Sequence, residues 1–421
     1  MIPTSSSAEP DKTNGVTIGR SVRLLVFSRV FSALCQAGII FLLSAVSKPE
    51  DLVFALSCFS VALVVAGVTD FGMTTLILVN TQRDKKRAKE ILGADTVLTA
   101  IICAIAVFVA LGSLVIFGDA IGVEKIFVAL SLTLWALVET LTEAGSMLQL
   151  GEGFSGKAAF TIALRRALGL LLFGVLLIFA PPAMAFSVGL LLGTTIAYFW
   201  VPKVWGDFKI FSKSFFEELR PFAVMNIFGQ LRNLEVPIIS GLVSASQSAA
   251  FAFGTRVSAP VLILGGSAGN AVLAGGVTHL QRRIKFVATL SFVVIAGLLI
   301  FGELIATFVS PVSQRFVSWL DGPALMLCLL VLVRTVVLSL AGIFSAMLIG
   351  LGFETYISKF SFLFSSLALV TTSVIAFALR ELNTVLVAGI VLALVQVVVL
   401  LAKASKVQRE NVGLLRQEQL S

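Results

Sequence analysis

Four arginines fall inside long apolar runs of this chain: Arg29, Arg232, Arg256 and Arg334. Four acids share those runs, Asp70, Glu139, Glu143 and Glu235, and no lysine lies at mid-run. A guanidinium presents a planar fork that grips two oxygens at once, whereas an ammonium acts as a point charge. Several buried arginines without lysines therefore suit a diphosphate or another anionic headgroup, and suit a cationic drug poorly. Glu139 and Glu143 are four residues apart and share one helix face. They are candidates to carry a proton or cation; the alternative is an ion pair with Arg29 or Arg334 that locks one conformation. Glu235, three residues after Arg232, is placed to neutralise it along the same helix. Asp70 closes its apolar run.

The runs that hold these charges are membrane spans by length and composition. Hydrophobic residues make up 58% of the 421, charged residues 13%, and mean hydropathy is +1.03. Such values lie outside the range of a soluble globular chain. A spanning helix needs about 20 apolar residues. The first six such segments run over residues 22–46, 52–79, 91–117, 126–149, 160–180 and 183–202. The second six run over 222–243, 248–278, 286–310, 323–350, 357–379 and 383–402. The expected fold is an all-α polytopic membrane protein of about twelve helices, with short loops. A charge at the bilayer centre costs roughly 2.5–3.5 kcal/mol, or roughly 15–20 kcal/mol for six such groups facing lipid. The deep charges must face a shared wet cavity or one another.

Basic residues fix the orientation. With both termini cytosolic, 23 of the 31 lysines and arginines fall on the cytosolic side, Arg165 and Arg166 among them. The opposite side receives Lys48, Lys125, Arg315 and Arg380, and the four deep arginines lie within spans. Residues 1–21 read as a cytosolic tail without a signal peptide, 22–202 and 222–402 as two six-helix bundles, 203–221 as the cytosolic link and 403–421 as a cytosolic tail. Two parallel bundles with a site between them make a transporter architecture. Arg29 lies about two turns above the cytosolic end of the first helix and can snorkel to the headgroups. Pro237 removes a backbone bond and is expected to kink its helix after Glu235. The GGSAGNAVLAGG run at 265–276 sits in a span and is no phosphate loop. Cys35, Cys58, Cys103 and Cys328 have no CxxC spacing, and His279 stands at a helix end, so neither a disulfide framework nor a metal centre is expected.

Short motifs carry a family resemblance. Thr69-Asp70-Phe71-Gly72 closes the second span before a basic loop and resembles the Asp-x-Gly element of the polysaccharide transporter (O-antigen flippase) family. Ala252-Phe253-Gly254-Thr255-Arg256-Val257 resembles that family's aromatic-small-x-Arg pattern. The family belongs to the superfamily of multidrug extrusion proteins and lipid II flippases. The resemblance implies a V-shaped alternating-access transporter of the bacterial inner membrane that moves an undecaprenyl-diphosphate-linked oligosaccharide to the periplasmic leaflet. In that reading Arg232, Arg256 and Arg334 line the cavity, Arg29 stands at its cytosolic mouth, and Asp70, Glu139, Glu143 and Glu235 serve coupling or gating. It implies a lipid-linked oligosaccharide, membrane lipids, a polysaccharide polymerase and a chain-length regulator as partners, for O-antigen, capsule or exopolysaccharide. No cofactor, metal, nucleic acid or enzymatic activity is implied. A multidrug or cation antiporter would favour an acidic, aromatic cavity. An integral-membrane glycosyltransferase or polymerase would need a large outer loop that this chain lacks.

Overall fold

The computed structural model describes residues 13–204, 212–259, 261–262, 314–350 and 352–418. The sequence-defined span 286–310, most of 248–278, the glycine run at 265–276 and His279 lie outside them. The first half consists of α1 (Thr13–Val46), α2 (Pro49–Asp70), α3 (Met73–Arg83), α4 (Lys85–Ile121), α5 (Val123–Gly151), α6 (Ser155–Leu176) and α7 (Pro182–Tyr198). The second contains α8 (Lys213–Gln230), a 3-10 turn at Leu231–Leu234, α9 (Glu235–Ser240), α10 (Ala245–Val257), α11 (Gly322–Gly350), α12 (Glu354–Leu379) and α13 (Leu382–Glu418). Eight helices among the described residues are long and apolar enough to cross a membrane, and α7 is a shorter apolar one.

Local chemistry sets the helix starts. Pro49 and Pro182 occupy first-turn positions where a missing N–H costs nothing. The Ser212 and Ser244 hydroxyls accept backbone N–H groups at the starts of α8 and α10, and the Asp84 carboxylate does so for α4. Within the first bundle α7 lies close on α6. A Cβ added at Gly193 would stand 2.5 Å from the Gly169 nitrogen, so only glycine permits that approach. The outer row of α4, including Ile105, Phe108, Val115 and Ile116, faces outward as a lipid-facing side chain row would.

Two spans depart from continuous helices. The stretch read as 52–79 is broken at Phe71 and Gly72, both left-handed with φ of 47° and 81°. The break in 222–243 lies before Glu235, not after it. The Glu235 N–H bonds back to the Arg232 carbonyl in a 3-10 turn. Pro237 is the reason: its ring displaces the carbonyl four residues earlier, Asn233, so the distortion falls on the preceding turn. The second bundle begins within the 203–221 stretch, with α8 starting at Lys213 and carrying Pro221 inside it.

The halves meet along α2, which packs against α8, the 3-10 turn, α9 and α10, while α1 also touches α10. A large apolar core runs from Leu43, Phe59 and Trp135 in the first half to Val236, Phe251 and Leu327 in the second. At the end carrying Lys85–Lys89 and Lys213, a second cluster joins Met73, Ile77, Ile91 and Leu148 to Phe215 and Leu219 of α8. At the opposite end the Trp319 indole donates to the Ser44 carbonyl at 3.3 Å. The bundles touch at both ends of the seam.

Candidate functional site

The deep charges sort into two clusters, one inside the first bundle and one on the seam. In the first bundle Glu143 accepts from Arg29 at 2.7 Å and from Arg165. Glu139 accepts from Arg166 at 2.6 Å, lies 3.2 Å from Arg165 Nη1 and receives the Thr194 hydroxyl. Thr194 in turn accepts the Trp135 indole N–H at 3.1 Å. Helices α1, α5, α6 and α7 are thereby cross-linked through three guanidiniums and two carboxylates. Arg165 and Arg166 are buried members of this lattice and not cytosolic loop residues. Their position inside the 160–180 span, facing two glutamates, was the signal that the basic-residue count absorbed. Glu143 pairs with Arg29 as one alternative held; neither glutamate reaches Arg334.

In the second bundle Glu235 does not neutralise its helix neighbour Arg232. It forms a two-pronged pair with Arg334 of α11, at 2.6 and 2.7 Å, with both residues buried. Helical spacing suggested the nearer arginine, but the Glu235 carboxylate is taken by the two-pronged pair with Arg334. Arg334 thus spends its fork inside the bundle.

Arg256 and Arg232 remain without a carboxylate among the described residues. Arg256 is 4% exposed. It donates to the Ser60 hydroxyl on α2 and, at 3.4 Å, to the Asn233 amide oxygen, and its guanidinium stands 4.8 Å from the centre of the Phe59 ring. Phe59 stacks on Trp135 with centroids 4.7 Å apart, and Arg166 covers the Trp135 ring at 5.4 Å. A continuous stack therefore joins the two clusters: Arg256, Phe59, Trp135, Arg166. Arg232 is half-buried beside Gln230 and Asn233. Ring faces and amide oxygens partly offset a guanidinium's desolvation, but none removes its charge. An uncompensated cation pair at the seam attracts an anion.

Asp70 performs a structural task at the break between α2 and α3. Its carboxylate accepts the Gly72 and Thr74 N–H groups, each at 3.0 Å, and the Thr74 hydroxyl, which caps α3. It also receives the Asn226 amide of α8 at 2.7 Å, while Asn226 donates to the Gly67 carbonyl as well. Asn226 is thus a tie between the bundles. A Cβ on Gly72 would lie 2.6 Å from the carbonyl carbon of Phe222, in a left-handed conformation that penalises any side chain. Gly72→Ala is expected to cost about 1–3 kcal/mol. It should raise amide hydrogen exchange in α3 and α8; unchanged exchange would show that this contact does not hold the seam.

Among the described residues no three His, Cys, Asp or Glu side chains gather as metal ligands. No protein-family model matches the chain, and no curated protein matches it in sequence. Solved structures do. A multidrug resistance MATE family transporter of the MOP superfamily, in an inward-facing conformation, aligns with TM-score 0.63 and 15% identity over 91% of this chain and 96% of its own. A MATE protein in its bent conformation gives TM-score 0.62 and 14% identity, over 98% and 100%. This chain has the MATE transporter fold. A Pyrococcus furiosus MOP superfamily transporter aligns at TM-score 0.60 and 15% identity over 95% and 100%, and its description ties a reversed polarity of the binding pocket to a different function. Membership of the twelve-helix, V-shaped class agrees with the all-α polytopic expectation, and the apolar helices make the chain a multi-pass membrane protein. On this fold Arg232 and Arg256 lie at the seam between the bundles.

Proposed function

We propose that the protein exports an anionic, diphosphate-bearing amphiphile, an undecaprenyl-diphosphate-linked oligosaccharide, across the bacterial inner membrane for surface polysaccharide assembly. The observation that carries this reading is the pair of seam arginines, Arg232 and Arg256, that no carboxylate neutralises among the described residues. Arg256 holds a fixed rotamer against Ser60, Asn233 and Phe59, so its fork is organised before the anion arrives. The polyprenyl tail stays in lipid. Arg334 and Glu235 act as an internal strut of the second bundle, and Arg29 with Glu139, Glu143, Arg165 and Arg166 as a lattice of the first. Asp70 gates through Asn226. The basic end is cytosolic, as the lysine and arginine bias implies, and both termini lie there. A polymerase and a chain-length regulator would take the product on the other side.

The test is binding of undecaprenyl diphosphate to the purified protein, read by its tryptophan fluorescence. Arg256→Ala should weaken it about tenfold to a hundredfold, the worth of one charge-assisted contact. Cells lacking the protein should hold lipid-linked oligosaccharide on the cytosolic leaflet, and the Arg256→Ala variant should not relieve this. Undiminished binding by Arg256→Ala would remove the anion argument.

A second reading has one observation in its favour: the first two structural neighbours are described as multidrug resistance or MATE proteins. A cationic drug would meet two guanidiniums at the seam that no carboxylate neutralises among the described residues. Stronger fluorescence response to a lipophilic cation than to undecaprenyl diphosphate would favour it.

A further inference from the structure

One buried acid takes no part in either cluster. Asp95 on α4 is 0% exposed, and both of its carboxylate oxygens lack a hydrogen-bond partner. The Thr99 hydroxyl, one turn further along the same face, is likewise buried and lies close to the Asp95 carboxylate. Neither guanidinium cluster reaches Asp95, in contrast to Glu139, Glu143 and Glu235, each of which is held by arginine.

An ionised carboxylate with two naked oxygens in a membrane interior costs several kcal/mol, while the neutral acid costs far less. Among the described residues, the groups facing Asp95 from its neighbours supply no positive charge. α2 contributes Asp70, and α7 contributes Tyr198. On α5, Glu143 bears on Asp70. α3 carries no charged residue before Arg83. Asp70 is itself the acceptor that ties α8 through Asn226 and caps the α2–α3 break.

We propose that Asp95 is a proton-carrying site, loaded in this conformation, whose discharge releases the basic end of the seam. In the discharge step the Asp95 Oδ–H bond breaks, the proton passes to water at the basic end, and the electron pair stays on the carboxylate. The new anion repels the Asp70 carboxylate and calls for hydration that the closed packing does not give. Both effects weaken the Asp70–Asn226 tie and let α8 move from α2 and α3. Transport of the anionic cargo would thereby be linked to proton movement, so the inference rests on the transport reading above. It also moves the proton from Glu139 and Glu143, whose protonation would strand three arginines, to an acid that no arginine or lysine pairs with among the described residues.

Two measurements on the full-length protein in lipid bilayers test it, and neither uses a glycan. Infrared spectra near neutral pH should show the C=O stretch of a buried carboxylic acid that vanishes in Asp95→Asn. Amide hydrogen exchange, corrected for intrinsic rate, should show opening of α3 and the first half of α8 rising at least about fivefold as pH is raised, the scale of an ordinary coupling between sites. Asp95→Asn, neutral at every pH, should stay protected throughout. Arg256→Ala should leave the infrared band and the exchange pattern as in wild type, so loss of anion binding and loss of the proton site are separable. The proposal falls if the wild-type protein lacks the band, or if Asp95→Asn opens with pH as wild type does. Should Asp95→Asn not fold, the pH dependence of the wild-type band decides alone: a band unchanged while the seam opens overturns it.

Discussion

Glu235→Ala should lower the unfolding free energy by about 3–5 kcal/mol, because it leaves Arg334 buried without its counter-charge. The pair is two-pronged, dry and inside the second bundle, joining α9 to α11. Replacing both partners with apolar residues of similar volume, Arg334→Met with Glu235→Leu, should recover most of the loss. Arg256→Ala should behave differently. No carboxylate depends on Arg256, Ser60 still donates to the Leu56 carbonyl, and Asn233 still donates to Gln230. The sequence alone led to the same role for Arg256 and Arg334, as arginines lining one cavity. The structure separates them into an arginine paired with a carboxylate, Arg334, and one that no carboxylate pairs with among the described residues, Arg256. Unfolding in mixed micelles, followed by tryptophan fluorescence, distinguishes the cases; equal losses for Glu235→Ala and Arg256→Ala would end the distinction.

The double variant Glu139→Gln, Glu143→Gln is expected to have the larger effect on the first bundle. It leaves Arg29 on α1 and Arg165 and Arg166 on α6 without a neutralising carboxylate. Removing one member of a buried pair costs about 3–5 kcal/mol, and here two acids serve three bases. The contributions share partners and will not simply add. The expected result is loss of most folded protein from the membrane, seen as aggregated material on size exclusion in detergent. A double variant as stable as wild type that loses only ion coupling would return the proton role to these glutamates.

Span positions were legible because they depend on composition over about 20 residues, which neighbours in space do not alter. The helices 91–117, 126–149, 323–350 and 357–379 fall within α4, α5, α11 and α12. The breaks were only half legible. Pro237 announced a distortion, yet its side of Glu235 follows from which carbonyl the ring displaces. The Phe71–Gly72 break was hidden in an apolar run, because Asp70 stabilises it with a cap whose donors come from the next helix and from α8.

The deep arginines and acids that the sequence marked are buried or half-buried in the fold, together with Arg165, Arg166 and Asp95, which it did not mark as deep. What it left open was pairing. Partners here sit 22 to 114 residues apart in the first bundle and 99 apart in the second. Such separations are set by how helices pack, not by helical spacing, so the sequence joined Glu235 to Arg232 where the bundle joins it to Arg334. By itself, the sequence determined that this chain spans a membrane many times and carries arginines and acids, but no mid-run lysine, within it. Only the tertiary structure decided which guanidiniums are paired with a carboxylate and which, among the described residues, are not, because neutralisation is a matter of a few ångströms between helices.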